Sequence, residues 1–168
     1  MSLRANVWRL LFAPLAVIGC GSEAAEPSDP PPRLANGVYP FSQTVEFHVP
    51  GLAAATCTSA GALDLQVVSP PGDAAVIIGR LERLVTCVRD GVNFAGYEDL
   101  SLLSGSIEVE DVTLAESDAR ILGSCEYSGV MAPEGVERIA GGTVTCARTN
   151  ADGDVVSTAE GTWGILSP

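Results

Sequence analysis

The chain has 168 residues, of which 21 are acidic and 9 basic, for a formal net charge of −12. So acidic a surface is repelled by phosphate backbones and anionic headgroups, so nucleic acid is not an expected partner. Abundant glycine (18) and few aromatics (5%) describe a turn-rich β domain long enough to bury one real core.

Met1 to Arg9 carries Arg4 and Arg9 and no acid, and Leu10 to Ile18 is an uninterrupted apolar run. A membrane-spanning helix needs about 20 such residues, so the run fits a signal-peptide core instead. It ends in Val17-Ile18-Gly19-Cys20. These four residues resemble the lipobox of bacterial lipoprotein precursors. Val17 replaces the commoner Leu, Ile18 is bulkier than usual, and Gly19-Cys20 is standard. The resemblance implies that residues 1–19 are removed, that the Cys20 thiol receives diacylglycerol, and that the mature chain carries two or three acyl chains. It also implies membrane attachment in the cell envelope, the outer membrane being favoured over the inner because Gly21, not Asp, follows the cysteine. An ordinary secretory peptide cut after Ala24 or Ala25 is the competing reading.

Five cysteines leave one over in an exported chain. Lipidation of Cys20 would leave Cys57, Cys87, Cys125 and Cys146 as an even set. It would also leave 7 arginines against 21 acids, about −14, with no lysine.

Residues 20–33 hold Pro27, Pro30, Pro31 and Pro32 with Glu23, Glu26 and Asp29. Proline and acid cannot build a core, so this stretch is expected to be a solvated tether. Residues 34–168 then form one β-rich domain. Phe41, Val45, Phe47 and Val49 alternate with Ser42, Thr44, Glu46 and His48, predicting a strand closed by Pro50-Gly51. Leu63, Leu65 and Val67 predict a second strand, ended by Pro70-Pro71-Gly72. Asp73 to Val88 is ambiguous. Ile77, Leu81 and Leu84 fit one helix face, whereas Leu84 to Arg89 reads as a strand. Ile107 and Val109 alternate with Glu108 and Glu110, and the phase slips at Asp111, predicting a bulge. Gly142 to Thr149 and Val155 to Ile165 flank a turn at Asn150-Ala151-Asp152-Gly153-Asp154, predicting a hairpin.

Val85-Thr86-Cys87-Val88-Arg89 and Val144-Thr145-Cys146-Ala147-Arg148 echo one another, each with one cysteine upstream. Of the three possible connectivities, the echo favours Cys57–Cys87 and Cys125–Cys146. An oxidising envelope compartment would preserve both bridges.

The chain offers little for catalysis. His48 is the only histidine and falls on the polar face of its strand, and there is no G-x-S-x-G elbow to supply a nucleophile. No metal site is expected, since His-based sites use two or three imidazoles and the cysteines are too far apart for a zinc cluster. Asn150, Asp152 and Asp154 alternate like calcium ligands, but Val155 and Glu160 break the loop pattern. Glu108, Glu110 and Asp111 read as a wet strand face. Trp163, in Gly161-Thr162-Trp163-Gly164, is expected in the core near a disulfide, its glycines leaving room for another strand or a ligand.

The expected architecture is therefore all-β, a single antiparallel sandwich or small barrel with two disulfides. The expected role is a lipid-anchored, non-catalytic binding or structural module without cofactor. A barrel carrier of an apolar small molecule or lipid is the alternative, and an envelope hydrolase ranks last.

Overall fold

The computed structural model describes residues 34–68, 74–132 and 137–168. It contains eight strands: β1 (Gly37–His48), β2 (Ala55–Val68), β3 (Ala75–Arg89), β4 (Val92–Glu108), β5 (Asp111–Ala119), β6 (Gly123–Val130), β7 (Glu137–Thr149) and β8 (Val155–Leu166). Each strand runs antiparallel to the one before it, and β8 pairs back with β1 from Phe41–Ile165 to His48–Thr158. Of the two architectures expected, the chain adopts the closed barrel.

Strict alternation explains the wall. Along β1, Tyr39, Phe41, Gln43, Val45 and Phe47 face the interior, while Pro40, Ser42, Thr44 and Glu46 face outward. Leu63, Ile77, Leu81 and Val85 have no exposed surface at all. Full burial of each such side chain stabilises the fold by about 1.5–3 kcal/mol. Where β8 crosses β1, a Cβ on Gly161 would stand 2.0 Å from the Thr44 carbonyl oxygen, so only glycine lets the two strands meet there.

Two sequence readings change. Residues 75–89 are strand throughout, so the helical alternative for that stretch fails. Ile77 and Leu81 face inward but Leu84 is 56% exposed, which splits the supposed helix face. A spacing of four satisfies either period, so Ile77 and Leu81 alone could not decide. The phase slip at Asp111 is a turn rather than a bulge. Val109 and Glu110 lie between β4 and β5, with Val109 at φ 60° and Ile107 paired to Val112. A two-residue turn and a one-residue bulge shift the alternation identically, hence the misreading.

The hairpin of β7 and β8 forms around residues 150–154 as the turn chemistry predicts. The turns after β1, β3, β5 and β7 gather at one end of the barrel, and Leu34 enters at the other. Both disulfides lie toward the turn end, Cys57–Cys87 joining β2 to β3 and Cys125–Cys146 joining β6 to β7. This is the connectivity that the sequence echo favoured.

Candidate functional site

Six inward-facing polar residues form one connected network: Gln43 on β1, Arg83 on β3, Asp99 and Ser101 on β4, Glu116 on β5 and Tyr127 on β6. They converge on Arg83, whose side chain is wholly buried. Its Nη1 donates to Gln43 Oε1 and to Tyr127 Oη, each at 3.1 Å. Its Nη2 donates to Asp99 Oδ2 at 2.9 Å and to Glu116 Oε1 at 2.6 Å. Glu116, also wholly buried, accepts further bonds from Ser101 Oγ and Tyr127 Oη, both at 2.5 Å. The guanidinium thus reaches β1, β4, β5 and β6 from β3, spanning the lumen.

Charge and burial set the protonation of this network. Burial alone would disfavour the Arg83 cation. Glu116 acts against that, followed by Tyr127 and Asp99, and the net result holds Arg83 above its ordinary value. Burial raises the Tyr127 phenol well above its usual 10.0, and the Glu116 carboxylate pushes it further. Tyr97, half-buried nearby on β4, is raised by burial and then by Asp99. Such a network is a poor acid–base device: its arginine stays charged and its tyrosine stays protonated. What it does is tie β3 to β1, β4, β5 and β6 across the interior.

Beside the network, an aromatic cluster packs among the buried aliphatic side chains. Tyr127 packs edge-on against Phe41 at 6.3 Å and against Trp163 at 5.4 Å between centroids. Phe41 and Trp163 stack at 6.3 Å, and the indole Nε1 donates to the Ser128 carbonyl at 3.0 Å. Trp163 is therefore a core residue as expected, and its ring neighbours are aromatic.

The outer wall is different. Surface concavities of about 250–470 Å³ lie there and at the turn end, one of about 400 Å³ over Ser104, Thr113, Ala115, Glu126 and Ser128. More notable are large apolar side chains in open solvent on β3 and β4: Ile78 is 55% exposed, Leu84 56%, Leu100 59% and Leu102 68%. Phe94 is also exposed and carries the Arg89 guanidinium 4.8 Å over its ring.

Among the described residues, β4 also has the longest open edge. It pairs with β3 along almost its whole length but with β5 only from Leu103 to Glu108. Residues 92–102 therefore have a ladder on one side only. The direction of their free groups follows from the disulfide. Cys57 and Cys87 face one another with Cα atoms 4.0 Å apart, the close approach of a pair that exchanges no backbone hydrogen bonds. In the same phase, Leu81, Arg83 and Val85 direct their backbone groups to β4, where Ser101, Asp99 and Tyr97 answer them. The alternate residues Gly96, Glu98, Leu100 and Leu102 then aim N–H and C=O away from β3, toward the side that β5 leaves empty. Tyr97 and Arg120, with the guanidinium 5.3 Å over the ring, stand at this opening.

The other residues singled out from the sequence do not join these features. His48 pairs loosely with Glu46 at 3.6 Å on the surface. Glu108, Glu110 and Asp111 are exposed around the β4–β5 turn. Asn150 Oδ1 accepts from the backbone N–H groups of Asp152 and Asp154, each at 2.9 Å, which makes this a self-satisfied turn. Among the described residues no group of three His, Cys, Asp or Glu side chains could hold a metal ion. Cys20, the leader and the tether lie outside the described residues.

The network was not foreseen, although its signal is present. Gln43 interrupts the apolar series Phe41, Val45, Phe47, and Arg83 interrupts Leu81, Val85. A polar group in the inward phase of a strand is costly unless partnered, so each marks a buried partner elsewhere. Comparison with protein-family models, curated proteins and solved structures finds no match for this chain.

Proposed function

We propose that this chain is a lipid-anchored, non-catalytic module of the bacterial cell envelope that binds through its outer wall. The observation that carries the reading is the contrast between a filled lumen and an exposed apolar strip. Arg83 and the Phe41–Tyr127–Trp163 cluster are buried inside the barrel, while Ile78, Leu84, Leu100 and Leu102 face solvent. Exposed apolar groups on a wall, here interleaved with Arg80, Glu82 and Glu98, mark interaction surfaces. The buried carboxylate, arginine and tyrosine are committed to one another, which supports a role without chemistry.

The anchor reading is supported by the cysteine arithmetic. Two bridges use four of the five cysteines and leave Cys20, the lipobox residue, as the fifth. Two or three acyl chains there, at about 0.8 kcal/mol per buried methylene, would make attachment effectively permanent. Gly21 favours the outer membrane.

Intact mass of the protein from its native membrane, before and after reduction, tests the anchor. The expected species begins at Cys20, carries diacyl or triacyl mass, and gains four protons on reduction. An unmodified chain beginning near Ala25 would overturn it. Binding through the wall is tested against the carrier alternative, which shares the closed barrel. Trp163 is the only tryptophan after the leader, so its emission reports the lumen. Titration with long-chain fatty acid is expected to leave that emission unchanged; a saturable shift would favour the carrier.

A further inference from the structure

We infer that residues 117–122, the end of β5 and the turn into β6, form a flap that closes the side of the barrel against β4 and opens laterally onto the Arg83 network.

The flap stands where the wall has no backbone closure. β4 loses its β5 partner before Leu103, and across the gap Ser117 and Asp118 pair with neither β4 nor β6. The disulfides brace the strands behind each lip: Cys57–Cys87 ties β2 to β3, and Cys125–Cys146 ties β6 to β7. Left-handed residues stand near both ends of the flap, Asp118 at φ 74° and Gly123 at φ 85°. Gly123 is pinned to β7, since a Cβ there would stand 2.4 Å from the Ala147 carbonyl oxygen. A short segment between such points can swing while the strands behind it hold.

Despite the missing ladder, the interior stays covered. Ser101 is 6% exposed, and Leu122 in the flap 1%. Side chains supply the closure. Ser101 Oγ on β4 donates to Glu116 Oε1 at the root of the flap, and Arg83 Nη2 joins Asp99 to Glu116 across the gap. Arg120 of the flap lies over the Tyr97 ring of β4. On the other side, Arg148 Nη1 donates to the Arg120 carbonyl at 3.5 Å, a long bond.

Such a latch has two states rather than many. Arg83, Asp99 and Glu116 attract strongly only while dry, and water that reaches one reaches the others. The closed state also leaves Gln43 Nε2 and Arg83 Nε buried without a hydrogen-bond partner, so opening returns water to donors that closure deprives. A backbone ladder would have to unzip to expose the interior. Here only side-chain contacts part, so the flap opens well below the cost of global unfolding.

Hydrogen exchange of the mature chain in mild detergent, read by mass spectrometry, tests the inference together with acrylamide quenching of Trp163. Amides of residues 119–123 are expected to exchange through an opening insensitive to low urea, ahead of those of β1 and β8. Ser101→Ala, which does not touch the flap, removes one bond to a carboxylate and should speed that exchange about tenfold. Arg120→Ala removes one exposed cation–π contact and should speed it about threefold. Trp163 quenching should rise in both, while exchange of β1 and β8 stays as in the wild type. Arg80→Ala, on the outer wall, should change neither reading. Flap amides that exchange only with global unfolding would overturn the inference. So would flap exchange that either latch variant leaves unchanged, or faster flap exchange with Trp163 quenching still at its wild-type value.

Discussion

The two disulfide-bearing hairpins make an internal comparison. Val85-Thr86-Cys87-Val88-Arg89 ends β3, and Val144-Thr145-Cys146-Ala147-Arg148 lies at the end of β7. Each places its cysteine opposite another on the preceding strand, near the same end of the barrel. Beyond that point they diverge. After β7, the chain turns through residues 150–154 into β8, which is held on both sides by β7 and β1. After β3, it turns at Asp90-Gly91 into β4, whose first eleven residues are held by β3 alone. Similar sequences therefore give similar strands, but the neighbour, set by β5 being only nine residues long, decides whether the next strand is enclosed or open.

The interior and the open edge should answer mutation very differently. The largest effect is expected at Arg83→Ala, which leaves the Glu116 carboxylate buried without its cation. Breaking one partner of a buried pair costs about 3–5 kcal/mol, and urea denaturation would show it. Leu102→Ser, on the open wall, should shift the same midpoint by less than about 0.5 kcal/mol. Equal losses at both positions would erase the distinction between lumen and wall.

Next come the bridges themselves. Removing Cys57–Cys87, which closes a separation of 30 residues, or Cys125–Cys146, which closes 21, should each cost on the order of 3 kcal/mol. Loop entropy predicts nearly equal losses, so paired Cys→Ala variants compared by thermal denaturation would reveal any unequal reliance on β2–β3 and β6–β7. A smaller loss of about 1–3 kcal/mol is expected for Gly142→Ala, because its Cβ would stand 2.5 Å from the Trp163 indole nitrogen. Trp163 emission should shift with it.

The mildest effect is one of pH. Tyr127 and Tyr97 hold their protons more tightly folded than their ordinary value of 10.0. Below that value both states are protonated and nothing changes. Above it the unfolded chain releases protons that the folded chain retains, so stability falls as pH rises past about 10. Tyrosinate absorbance of the folded protein should correspondingly lag that of the chain in denaturant.

Much of this molecule was legible in its sequence because strand periodicity is local. Phe41 to Val49 announced β1, Asp152-Gly153 announced the last hairpin, and the cysteine echo favoured the bridge pattern. What escaped depended on distant partners. Barrel closure rests on β1 meeting β8 at opposite ends of the domain, with nothing in either strand to signal it. The first half of β4 was missed because its inward residues Tyr97, Asp99 and Ser101 are polar, while Leu100 and Leu102 face out, inverting the expected pattern. That inversion is itself the sequence trace of both the buried network and the open edge.

The position of Leu34 has a mechanical consequence. The chain enters β1 at the end opposite the disulfides, and β1 is laddered to β2 from Gly37 to Phe47 and to β8 from Phe41 to His48. A pull at residue 34 along the strand loads these two ladders in shear, so their hydrogen bonds carry the force together rather than opening one at a time. Tension arriving through the N-terminal segment would be borne by the barrel wall, with the covalent bridges outside the path of the load.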